Sequence, residues 1–298
     1  MCGIVGLFLK NERLQSQLGA LTARMLTVMN ERGPDSAGFA VYGSGDAELV
    51  KITVRMRSPA QFGRVTAELR GAGYALREPV LHDSHAVFQV KTSQAAAARA
   101  WLAEQRPQLE VVSVGTRMEI YKEVGLPEKV AERFGLSAMR GTHAIGHTRM
   151  ATESSVTTQG AHPFSTGIDQ CLVHNGSLSN HNAVRRTLRY EGLTFETEND
   201  SEVAAGYLSW RMSAGASLKE ALTRSLADLD GFYTFVVGTE RGFAVLRDPI
   251  SCKPAVMAET EDYVAFGSEY RALADLPQIE NARVFEPEPA TVYAWEHE

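Results

Sequence analysis

The chain has 298 residues, 44% of them hydrophobic and 22% charged, with a net charge of −6. That length supports one large domain or two small ones with an ample core. The acidic balance offers no footing for nucleic acid or an anionic membrane, no apolar run approaches the roughly 20 residues of a bilayer span, and the N-terminus lacks the basic and apolar regions of a signal peptide. The cysteines, Cys2, Cys171 and Cys252, are odd in number and widely spaced, without a CxxC pair. Neither a disulfide framework nor a metal site is suggested, no cofactor is implied, and a cytoplasmic location is expected.

Met1-Cys2-Gly3-Ile4-Val5-Gly6 opens the chain. A small residue at position 2 invites removal of the initiator Met, which would place a thiol and a free α-amine on one residue. An unperturbed α-amine has a pKa of about 7.7–8.0, so it can serve as a base beside a nucleophile. Residues 3–9 read as a buried strand, and apolar residues at helical spacing from Leu14 to Met29 predict a helix over 14–31. A turn at Arg32–Ser36 leads to a second strand, 37–42, and a third from Glu48 to Arg55.

From about Ser58 to Met139 the texture changes to a compact α/β pattern. Helices are predicted over 60–73, 93–105 and 122–134, and strands over 85–91 and 110–114. His82, Asp83 and His85 can be imagined as metal ligands, but a polar strand edge or turn is the preferred role. A strand then starts at His143 and ends in polar residues by Ala151. Residues 170–174 form another strand, with Asn175-Gly176 as a turn pair. Helices follow over 180–191, 202–212 and 218–229, and strands over 232–238, 242–247, 255–258 and 263–267 as a hairpin meander.

Four polar clusters carry the chemistry: Cys2; His147-Thr148-Arg149; His174-Asn175-Gly176; and Asn199-Asp200-Ser201-Glu202. If they converge, they supply a thiol nucleophile, a guanidinium for a carboxylate, a carboxylate for an ammonium, and an amide plus a backbone N–H of the kind that form an oxyanion hole. A site gripping both ends of an α-amino acid while a thiol attacks further along suits glutamine. Each cluster alone has a plainer reading. Asn-Gly is commonly a turn, a single His is commonly structural, Arg149 and Asp200 could form a salt bridge, and Glu202 suits a helix N-terminus.

Together these residues give the chain a clear family likeness. MCGIVG at 1–6, ERGPDSAGFAV at 31–41, GHTRMAT at 146–152, HP at 162–163, LVHNGSLSN at 172–180, ENDSEV at 198–203, LRDPISCKP at 246–254 and FGSEYRAL at 266–273 resemble the class II, N-terminal-nucleophile glutamine amidotransferases. The resemblance implies an α+β fold, a four-layer α/β/β/α sandwich of the N-terminal-nucleophile hydrolase type, spanning 2–298 with an inserted α/β lobe over 58–139. It implies Cys2 as nucleophile with its own amine as base, Asn175 and Gly176 as the oxyanion hole, and Arg149 and Asp200 on the glutamine carboxylate and ammonium. It further places Thr152 in a closing loop and gives Arg32 and His147 supporting roles. Met150 and Glu153 stand where the sugar-phosphate amidotransferases usually carry Trp and His.

The family makes ammonia for a second active site, and this sequence shows no phosphate-binding loop, GxGxxG or iron–sulfur cysteine set. The expected role is therefore a glutaminase subunit delivering ammonia to a synthase on a partner chain. It is similar to the amidotransferase component of glutamate-synthase-like complexes, N-methylglutamate synthase among them, and a hetero-oligomer is expected. A stand-alone Cys hydrolase of γ-glutamyl amides is the alternative. A non-catalytic glutamine sensor is disfavoured by the full set of Cys2, Arg149, Asn175 and Asp200.

Overall fold

In the computed structural model, which describes residues 2–151 and 155–297, the first strand explains the rest. Strand β1 (Gly3–Leu9) is buried along its whole length. Ile4 and Phe8 point to one apolar cluster, whereas Val5, Leu7 and Leu9 point to another, the two-residue alternation of a strand covered on both faces. Each buried side chain of this size contributes about 1.5–3 kcal/mol, so the segment after Cys2 is held along its length.

The elements follow in chain order. Helix α1 is Leu18–Thr27, and β2 and β3 are Ser36–Tyr42 and Leu49–Arg55. Next come α2 (Phe62–Gly71), β4 (Leu76–His82), β5 (His85–Lys91), α3 (Ala95–Gln105) and β6 (Glu110–Gly115). The chain continues through β7 (Met118–Val124), α4 (Pro127–Arg133), β8 (His143–Arg149), β9 (Phe164–Gly167) and β10 (Gln170–Leu178). Three helices follow, α5 (His181–Tyr190), α6 (Asp200–Ser213) and α7 (Leu218–Asp228). The remainder is β11 (Gly231–Gly238), β12 (Gly242–Arg247), β13 (Val256–Glu259), β14 (Tyr263–Gly267), β15 (Arg283–Phe285) and β16 (Val292–Glu296).

A seven-stranded sheet in the order β15-β13-β14-β1-β8-β2-β7 faces a five-stranded sheet in the order β16-β12-β11-β10-β9. Ile4, Phe8, Ile145, Val173, Val236 and Phe243 fill the space between them. Residues of α1 and α4 cover the outer face of the first sheet, and residues of α6 and α7 that of the second. The result is the four-layer α/β/β/α sandwich expected for the N-terminal-nucleophile hydrolase type. A third sheet, β4-β5-β3-β6, carries α2 and α3 with its own core of Ile52, Phe88, Val65 and Leu102.

Several sequence expectations differ from the structure. The helix expected over 14–31 is a short 3-10 turn followed by α1, which ends at Thr27. The third sheet takes its residues from 49–115, so β3 belongs with it, while β7 and α4 belong to the main sandwich. The helix expected from Lys122 is strand β7 through Val124, paired with β2. Gly125, at φ 127°, separates it from α4, where Pro127 starts the helix without needing its missing N–H. The expected meander is two hairpins in different sheets, since β11 and β12 join the five-stranded sheet and β13 and β14 the seven-stranded one.

Candidate active site

Cys2 immediately precedes β1 and is partly buried. The main chain just after it is clamped, because Ile4 N–H donates to Ser268 Oγ at 2.9 Å and Ser268 N–H donates to the Ile4 carbonyl at 2.9 Å. The Cys2 carbonyl accepts from Arg32 Nε at 3.0 Å and from Asn175 Nδ2 at 3.3 Å. The Arg32 guanidinium is ion-paired with Glu269 at 2.5 Å, and Glu269 with Arg271 at 2.5 Å. Desolvation pushes the Glu269 carboxyl up, but Arg32 and Arg271 outweigh it and its pKa lies below the ordinary 4.5.

β1 runs antiparallel to β8 with Gly3 opposite Thr148, so Cys2 and Arg149 are the next residues on adjoining strands. Arg149 is buried, and its Nη1 donates to the Ser155 carbonyl at 3.4 Å. The Gly33-Pro34 turn lies against the Arg149 backbone so closely that a Cβ on Gly33 would meet Arg149 N at 2.5 Å. Asp35 closes this junction. Its N–H donates to the Arg149 carbonyl at 3.1 Å, and its Oδ2 accepts from Ala151 N–H at 2.8 Å. Thr152 lies outside the described residues, as does Glu153.

Asn175 and Gly176 do not form a turn. They lie within β10, opposite Thr234 and Tyr233 of β11. Gly176 has a φ of 149°, and a Cβ there would come within 1.9 Å of the Phe232 carbonyl oxygen, so glycine is required by both conformation and space. Asn175 is buried, whereas Gly176 is exposed at the surface beside it.

Asp200 is the first residue of α6, behind Asn199, whose side chain accepts from Ser201 N–H at 2.9 Å as the N-cap. Asp200 Oδ2 accepts from Leu178 N–H at 2.9 Å, which ties the helix start to the strand that carries Asn175 and Gly176. Glu202, read as a helix-terminus charge, folds the preceding loop onto the helix by accepting from the N–H groups of Glu196 and Thr197 at 2.8 and 2.7 Å.

His147 does not stand alone. Its Nε2 donates to the His174 carbonyl at 3.1 Å, and its ring stacks on His162 with centroids 4.0 Å apart. His162 Nε2 and His174 Nδ1 meet at Ser201 Oγ, at 2.8 and 2.9 Å. Burial pushes the His147 pKa down to about 3 and those of His162 and His174 below the ordinary value. These rings are neutral, and a carbonyl partner fixes the His147 proton on Nε2. This hub backs the strand and helix that carry Asn175 and Asp200. Its members His162 and Ser201, like Ser268 and Glu269, lie in the family-like stretches at 162–163, 198–203 and 266–273, where sequence spacing alone assigns them no role.

Among the described residues no group of three or more His, Cys, Asp or Glu side chains is placed to hold a metal ion, and no helix is long and apolar enough to cross a membrane. His82 and His85 flank the β4–β5 turn, where Asp83, at φ 50°, pairs with Arg133 at 2.7 Å.

The glutamine amidotransferase domain family matches residues 134–288. The glutamine amidotransferase-like protein GlxB of Rhizobium meliloti (strain 1021) is 59% identical over 100% of this chain and 99% of its own length. In three dimensions the chain is similar to a structure described as the allosteric regulatory enzyme of purine biosynthesis, with a TM-score of 0.64 and 21% identity over 99% of this chain and 47% of that one. It is also similar to the glutamine phosphoribosylpyrophosphate amidotransferase of B. subtilis, with a TM-score of 0.61 and 21% identity over 99% of this chain and 49% of that one. The chain thus spans about half the length of those two structures. Sequence defines a glutamine amidotransferase domain, and its fold is of the N-terminal-nucleophile hydrolase type. The chain belongs to the class II glutamine amidotransferases.

Proposed function

We propose that this chain is the glutaminase component of a glutamine-dependent amidotransferase, releasing ammonia for a synthase site on a partner chain. The observation that carries the proposal is the Asn175 amide resting 3.3 Å from the Cys2 carbonyl, with Arg149 the next residue on the adjoining strand. In this reading the Cys2 amine, freed by loss of Met1, takes the thiol proton. The thiolate bonds to the side-chain amide carbon of glutamine. The oxygen gathers negative charge and is met by Asn175 Nδ2–H and Gly176 N–H. Collapse breaks the C–N bond, the amine returns its proton to the leaving nitrogen, and ammonia departs. Water, giving a proton to the same amine, then cleaves the γ-glutamyl thioester to glutamate and free thiol. Arg149 holds the substrate carboxylate and Asp200 its ammonium. Thr152 lies in the segment proposed to close over glutamine.

The acceptor subunit is proposed to be glutamate-synthase-like, with N-methylglutamate synthase as one candidate. The direct test is intact mass after treatment with 6-diazo-5-oxo-norleucine, a glutamine-analogue electrophile. Loss of Met1 and one adduct that is absent from Cys2→Ala support the reading. A processed protein that gains no adduct, alone or with a synthase subunit, overturns it. Glutaminase activity that rises with the synthase supports a subunit, and full activity alone would instead indicate a stand-alone hydrolase.

A further inference from the structure

A cavity of about 240 Å³ opens where the third sheet, the edge of the five-stranded sheet and the loop before α6 meet. Its walls carry charges of both signs: Arg99 and Lys122 on one hand, Glu110, Glu196 and Glu202 on the other. We infer that this cavity is a second ligand site, separate from Cys2, that takes a small α-amino acid as its zwitterion.

Three features argue for that class. The first is volume, which falls below the roughly 300 Å³ at which drug-sized pockets begin and suits a molecule of amino-acid size. The second is unused bonding capacity. Lys122 is buried and donates to the Gln159 carbonyl at 3.1 Å, while its ion pair with Glu110 is long at 3.8 Å. Glu110 is likewise loosely paired with Arg55, at 3.5 Å. An ammonium at Glu110 and at Glu196, whose carboxylate has the Gln159 side chain as a partner, and a carboxylate at Lys122 and Arg99 would complete both sets. The third is the acid arrangement. Glu202 is already occupied by backbone N–H groups, so Glu110 and Glu196 are the cavity carboxylates that would face a ligand ammonium. Burial pushes the Lys122 ammonium down, and desolvation followed by the like charges of Glu110 and Glu202 pushes the Glu196 carboxyl up. Both groups therefore gain from an added opposite charge.

The site is linked to catalysis through one loop, a step that rests on the proposed function. Lys122 holds Gln159, and Thr158 is bonded to Arg55 and Glu123. In the same loop Ser155 accepts from Arg149, the residue assigned to the glutamine carboxylate. A ligand carboxylate on Lys122 competes with Gln159 and so alters the segment that borders Arg149.

The test is thermal unfolding of Cys2→Ala protein with glycine, L-alanine, L-serine or L-aspartate, each at about 10 mM, a level that detects millimolar affinity. At least one is expected to raise Tm by about 2–5 °C, and Arg99→Ala and Glu196→Gln are each expected to abolish the shift. Asp200→Asn is expected to keep it. No shift with any of the four, or a shift that survives both substitutions, overturns the site. A shift lost in Asp200→Asn and kept in Glu196→Gln places the ligand at the Cys2 site and also overturns it. With binding established, an unchanged KM for glutamine at saturating ligand overturns the link to the loop. These readouts need no glutaminase turnover to establish the site, so a missing diazo-oxo-norleucine adduct would refute the proposed function and leave the binding result standing.

Discussion

Replacing Ser201 with alanine removes one oxygen and leaves two imidazoles without their shared partner. In the folded protein Ser201 Oγ lies 2.8 Å from His162 Nε2 and 2.9 Å from His174 Nδ1, and all three residues are buried. A hydroxyl carries one proton and two lone pairs; its proton is directed to Asp200 Oδ1 at 3.4 Å, which leaves the lone pairs to accept from the two rings. Burial keeps both rings neutral, and the carboxylate nearest His174 Nδ1, Asp200 Oδ1, is 3.8 Å away, beyond hydrogen-bond reach. The opposite ring nitrogens, His162 Nδ1 and His174 Nε2, already lack a hydrogen-bond partner among the described residues. Turning a ring would only exchange one bare nitrogen for another. Two orphaned buried groups cost about 1–3 kcal/mol each, so Ser201→Ala is expected to destabilise the fold by about 2–6 kcal/mol. Urea unfolding followed by tryptophan fluorescence measures this. The control is Ser179→Ala, which loses an exposed 2.7 Å contact to Asp230 and is expected to stay within about 0.5 kcal/mol. Because Ser201 adjoins Asp200, the KM for glutamine is expected to rise more than kcat falls. A Ser201→Ala protein as stable as the Ser179→Ala control would refute the hub argument.

Asn175→Ala removes the amide beside Cys2 and is expected to lower kcat about 10²–10³-fold with the circular dichroism spectrum retained; activity within a few-fold of wild type would exclude it from the oxyanion site. Arg149→Lys keeps the charge but loses the planar fork, and a rise in the KM for glutamine of about 10–100-fold is expected from steady-state kinetics, with kcat changed less. Glu269→Gln removes the partner of Arg32. Since the folded pKa of Glu269 lies below the ordinary 4.5, its contribution is fully present above about pH 4.5 and is lost as pH falls through the lower folded value. The Tm difference between wild type and Glu269→Gln is therefore expected to be constant from pH 6 to 8 and to shrink below about pH 4.5, and a gap that widens in acid would contradict the assignment.

The sequence was most legible where chain order and space coincide. β1 could be read from a run of apolar residues, because a strand with neighbours on both sides and layers on both faces leaves no polar position. It was least legible where a local pattern has two physical solutions. Lys122 looked like the start of a helix that continued to Phe134. As β7 it faces the cavity and holds Gln159, contacts with residues far away in the chain that no local window contains. Asn175-Gly176 has the composition of a turn, yet the same freedom of glycine serves a strand that must pass close to Phe232. β4, β15 and β16 went unread because they pair at sheet edges, where half the ladder is unsatisfied and polar residues are tolerated. The histidine hub required partners from β8, the segment before β9, β10 and α6, and only the packed sandwich brings those together.

The placement of the candidate residues follows a division of mechanical labour. The nucleophile proposed at Cys2 would gain from being fixed, since small displacements of a reacting group are costly. Cys2 is accordingly followed by a strand held by β8, β14 and Ser268 and latched through its carbonyl by Arg32 and Asn175. A substrate must still enter and leave. Arg149 stands at the last residue of β8, and Asp200 at the first residue of α6, each where regular structure gives way to loop. The segment after Arg149 is anchored at its far end by Thr158 to Arg55 and by Gln159 to Lys122, residues of the third sheet and of β7. The third sheet is therefore tied to the segment that follows Arg149, and under the proposed function a change in its contacts is expected to alter the KM for glutamine more than the reactivity of Cys2.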